Sequence, residues 1–167
     1  MTTRQDYTDS EWKTLRDLPQ LAAFAAIAVG QGDPIASTRE LFAAMQQLGM
    51  SAQQNYPDNQ LIRAIIVGLT ETNGAAAGAD ETWRADAGAW RGAALVEQSH
   101  DTAARAREIL DERSTDLEGT EYAAWVVGIA RAACEAAGSG FFGFGGSRVS
   151  GAEQQFLADL GEALGMP

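Results

Sequence analysis

Glu97 and His100 are the residues whose types and spacing come closest to a chemical function. They stand in Glu97-Gln-Ser-His100, the Glu-x-x-His step with which di-iron carboxylate bundles present two ligands from one helix. His100 is the single histidine, which excludes a two-histidine centre. A ferritin-like site with partners such as Glu40 or Glu121 is left open. At 100° per residue, Glu97 lies about 140° from the apolar stripe through Ala103 and Leu110. A di-metal glutamate has to point inward, so this geometry favours a solvated Glu97 and a flanking His100.

The second feature is the loop Gly138-Ser-Gly-Phe-Phe-Gly-Phe-Gly-Gly-Ser147, followed by Arg148. Glycines can bring backbone N–H groups to an anion at the start of the last helix. The order is not that of a phosphate-binding loop, however, because no Gly-Lys-Ser/Thr stands at the helix start. No strand precedes it, so the dinucleotide fingerprint fails too. Large exposed apolar patches are uncommon, which favours Phe141, Phe142 and Phe144 tucked under the fold. The alternative is a partner-binding patch of Phe141, Phe142, Phe144 and Arg148.

Glu108, Asp111, Glu112 and Asp116 form an acidic set, either a solvated face or a surface that steers a basic partner. Cys134 is the only cysteine, so no intramolecular disulfide or cysteine metal cluster forms. Its apolar setting makes it a small core residue. Serine nucleophiles have no histidine partner except His100, and nothing orients that pair.

These residues need helices to hold them. The chain is rich in Ala, the best intrinsic helix former, and shows no alternating β-branched run. A length of 167 residues suits one domain with a proper core. The formal net charge of −11 weighs against nucleic acid and against a negative membrane surface. The longest apolar run, Leu18 to Gly30, is shorter than the ~20 residues of a membrane span. The N-terminus has no signal-peptide pattern. A reducing cytoplasm is the expected compartment, and no cofactor is expected.

In chain order, 1–7 reads as a loose tail. Thr8-Asp-Ser-Glu11 is a capping box opening a short helix with Trp12 and Leu15. Pro19 restarts the chain at a first-turn position, and Gln20 to Val29 forms an all-round apolar, buried helix. Gly30-Gln-Gly-Asp-Pro34 breaks it. Ser37-Thr-Arg-Glu40 caps a helix through Leu41, Phe42, Met45 and Leu48 that ends at Gly49. Leu61 to Leu69 is helical, 72–80 a flexible loop, 81–113 a long helical region, and 114–120 a polar turn. Tyr122 to about Ala137 is a central apolar helix. Ser150-Gly-Ala-Glu153 caps an amphipathic helix with Phe156, Leu157, Leu160 and Leu164 on one face.

The early stretch 18–50 and the late stretch 121–166 share an order: buried helix, glycine break, Ser-x-x-Glu box, amphipathic helix, Leu-Gly-Met. This is a degenerate internal repeat. The expected fold is therefore all-α, a single-domain bundle of about six or seven helices with a pseudo-twofold.

The same order resembles the TerB-like proteins associated with tellurite resistance. The residues that carry the likeness are 129–137, Arg148-Val-Ser-Gly-Ala-Glu153 and 156–165, with the weaker copy at 18–50. The resemblance implies a helical bundle with a pseudo-twofold repeat, and acidic residues at helix ends that bind divalent metal. Asp33, Glu40, Glu135 and Glu153 are the matching positions. The Asp-Gly step usual at those ends is missing here, and Glu40 and Glu153 belong to capping boxes. A hard cation wants about six oxygens, more than this set offers.

The expectation is a non-enzymatic, acidic, cytoplasmic protein acting by contact with a protein partner, in a stress or toxin-response setting taken from the resemblance. The alternative is a divalent-metal-binding or ferritin-like protein using Glu97 and His100, with Asp33, Glu40 and Glu135 as further ligands.

Overall fold

The computed structural model describes residues 3–30, 52, 54–76, 93–138 and 149–167. Among them run five bounded α-helices and no strand. These are α1 (Asp9–Val29), α2 (Gln60–Ala76), α3 (Ala93–Arg113), α4 (Asp116–Gly138) and α5 (Gly151–Ala163). The described residues are all-α, as the composition and periodicity indicate. The expected helices at 37–50 and 81–92 lie outside the described residues.

Polar caps set most of the helix starts. The Thr8 hydroxyl accepts from the Glu11 N–H at 3.3 Å, while the Glu11 carboxylate accepts from the Thr8 N–H at 2.7 Å. Ser150 and Glu153 repeat the arrangement at 3.3 and 2.6 Å. Each box satisfies donors that a helix start leaves open. α4 starts earlier than its apolar pattern suggests. The Thr115 hydroxyl accepts from the Glu118 N–H at 3.3 Å and donates to its carboxylate at 3.1 Å, so residues 116–120 are the first turn of α4 rather than a turn before it. α5 ends as its Leu164-Gly165-Met166 sequence predicts. Gly165 takes φ 75°, Met166 N–H bonds to Gly161 O and Gly165 N–H to Glu162 O, both at 2.9 Å. That is a Schellman ending, whose left-handed residue favours glycine.

Pro19 does not restart the chain. α1 is one helix of 21 residues with Pro19 inside it, against the expectation of two. A proline there removes the bond to the carbonyl four residues back, that of Leu15. Leu15 is wholly buried, and the loss is made good from α4, where the Tyr122 hydroxyl donates to Leu15 O at 2.7 Å. Tyr122 is itself fully buried, and burial pushes its hydroxyl pKa well above the ordinary value, with Tyr7 and Asp17 adding to the rise. It is therefore a donor at any physiological pH.

Two further expectations change. Residues 3–7 are not a loose tail: Arg4–Asp6 forms a 3-10 turn, Tyr7 is buried, and its hydroxyl meets Ser114 Oγ at 2.8 Å. α2 runs on to Ala76, through the first part of the stretch read as a loop. Of the region read as helical from 81 to 113, the described part, Ala93–Arg113, is helical throughout.

α1 and α4 lie parallel. Tyr7 meets Ser114 and Leu15 meets Tyr122, each pair 107 residues apart. The same step relates buried residues of the two helices: Leu18 to Trp125, Ala22 to Ile129, Ala26 to Ala133 and Ile27 to Cys134. α3 returns antiparallel, its Arg113 bonded to Glu11 at 3.1 Å. α5 runs with α3, since His100 stacks on Phe156 and Arg107 reaches Leu164 O at 3.5 Å. Antiparallel neighbours oppose the aligned dipoles of the α1–α4 pair. α2 starts against the first turns of α4 and approaches Trp12 and Arg16 of α1 at Gly68. One apolar core joins these helices.

Candidate functional site

Glu97 is exposed and His100 half-buried on α3, as the helical geometry predicts. The His100 ring stacks on Phe156 at a centroid distance of 5.5 Å. Its Nε2 is buried and has no hydrogen-bond partner among the described residues. Glu121, the carboxylate offered as a further ligand, accepts from the Asn59 amide at 2.9 Å. Glu135 is exposed. Glu153 is buried, and its carboxylate is held by the Ser150 N–H, with its other oxygen packed where a Cβ on Gly30 would stand, 2.7 Å away. Asp33 and Glu40 lie outside the described residues, as do Phe141, Phe142, Phe144 and Arg148. Among the described residues no group of three or more His, Cys, Asp or Glu is placed to hold a metal ion.

Cys134 is buried, and burial, reinforced by the Glu153 carboxylate, pushes its thiol up to about 11. A thiolate is the reactive form, so this thiol is inert at neutral pH. No helix among the described residues is long and apolar enough to cross a membrane.

Asn59 is not among the residues that sequence reasoning singles out. Its side chain is buried and caps α2, accepting from the Ile62 N–H at 3.0 Å. Its amide nitrogen donates to Glu118 O at 3.1 Å and to Glu121. One side chain thus ties the start of α2 to the first turns of α4. The available signal was an Asn directly before an apolar helix.

The outer surface of α3 and the start of α4 is a different environment. Glu97, Asp101, Glu108, Asp111, Glu112 and Asp116 are all exposed there. Arg107 bonds to Asp111 at 2.8 Å with both side chains near half exposed, a pairing that contributes little to stability. Among the described residues no ion pair involves Glu108, Glu112 or Asp116. Leu117 stands beside Asp116 and is 67% exposed, one of two large hydrophobics so exposed among the described residues. An open hollow of about 90 Å³ lies between the helices, lined by Arg107, Leu110, Asp111, Thr115, Asp116 and their neighbours. Small-molecule pockets run to roughly 300–1,000 Å³ and enclose their ligand. This hollow is well below that range.

No family model, no characterised protein and no solved structure matches this chain.

Proposed function

We propose that this protein is non-enzymatic and works by contact with a basic protein partner, through the carboxylate surface of α3 and the start of α4. The observation that carries this reading is the exposed Leu117 set beside Asp116 and an open hollow, on a surface where Glu108, Glu112 and Asp116 make no ion pair among the described residues. Carboxylates of one sign raise the encounter rate with a cationic partner. Leu117 adds an apolar contact that is desolvated only in the complex. The acidic net charge of −11 acts in the same sense over the whole molecule.

The same reading takes the chain as a cytoplasmic TerB-like bundle of six or seven helices, working in stress or toxin response, whose early and late stretches repeat about a pseudo-twofold axis. What supports the repeat is the register of α1 and α4. Thr8-Asp-Ser-Glu11 and Thr115-Asp-Leu-Glu118 are 107 residues apart and both cap their helices. Residues separated by that same step touch one another, as pairs across a local twofold do.

The test compares capture of partners from lysate by the wild-type protein and by two variants of equal melting temperature. One carries Glu112→Lys, Asp116→Lys and Leu117→Ala, the other Glu162→Lys on the exposed side of α5. The reading expects a basic protein retained by the wild type and by the α5 variant, and lost from the triple variant. Raising ionic strength from about 0.1 M to about 1 M, which shortens the screening length from about 10 to 3 Å, should release it. Equal retention by all three, insensitive to salt, would overturn the reading.

A further inference from the structure

We draw no further inference here: the strongest candidate, the open hollow between the end of α3 and the start of α4 with the exposed Leu117 beside it, belongs to the surface already described, and among the described residues no buried, unpartnered side chain lines it.

Discussion

The two helices of the parallel pair open on the same Thr-Asp-x-Glu pattern, at Thr8 and at Thr115, and bury the same register of positions. Their interiors differ. α1 has a proline at the start of its apolar run, Pro19, which leaves the buried Leu15 carbonyl without a donor from its own helix. α4 has no proline, and places a tyrosine hydroxyl at the matching position. Their outer sides differ as well: α1 is buried on nearly every side from Leu18 to Ile27, whereas α4 exposes Gly128, Arg131 and Glu135. A shared start therefore does not imply a shared role. α1 is the buried member, and α4 repairs it while keeping a solvent face.

The largest effect should come from the contact level itself. Leu15→Ala removes a wholly buried side chain at that level and should cost about 2–5 kcal/mol. For a chain of this size that is a fall in Tm of about 2–4 °C per kcal/mol. A change of under a degree by calorimetry would mean that α1 and α4 do not pack there. Asn59→Ala leaves the start of α2 uncapped and Glu118 O without its amide donor. A loss of about 1–3 kcal/mol is expected in urea unfolding, with hydrogen exchange accelerated at the start of α2 before α5. Uniform acceleration would argue against a local tie.

Smaller effects sharpen the likeness between the two helix starts. Thr8→Ala and Thr115→Ala should each cost about 1 kcal/mol, and a tenfold disparity in their unfolding constants would show that the two caps are not equivalent. The smallest structural effect belongs to the acidic surface, where Leu117→Ala should leave Tm within a degree while weakening partner capture. Cys134 gives a chemical readout of core integrity. Its folded value of about 11 lies above the ordinary thiol value of 9.0, so the folded state holds the thiol proton more tightly. That contribution to stability is complete below pH 9 and is lost as pH rises through 11. Iodoacetamide at pH 8 should label the native protein far more slowly than the urea-unfolded chain, and equal rates would place Cys134 outside the core.

Local signals in the sequence were legible and long-range ones were not. The boxes at Thr8 and Ser150 and the Gly165 ending involve residues within five positions, so spacing alone identifies them. The outward direction of Glu97 followed from helical period in the same way. Thr115 and Glu118 carry an equally local cap, but the polar stretch 114–120 masks it, because the apolar pattern of α4 begins only at Tyr122. Pro19 shows the limit most clearly. Read locally, a proline four residues after a buried leucine argues for a break. The donor that removes the penalty stands 107 residues from Leu15, and nothing near Pro19 announces it. Asn59 fails for a similar reason: its capping oxygen is a local feature, while its amide partners lie on α4.

The pairing of Tyr122 with the carbonyl freed by Pro19 is the contact on which the parallel register of α1 and α4 depends, and a double-mutant cycle measures it. Tyr122→Phe alone strands the buried Leu15 carbonyl and should cost about 1–3 kcal/mol. Pro19→Ala restores an N–H four residues after Leu15, so Tyr122→Phe in that background should cost much less, with an interaction energy of about 1 kcal/mol or more between the two sites. An identical cost for Tyr122→Phe in both backgrounds would contradict the arrangement.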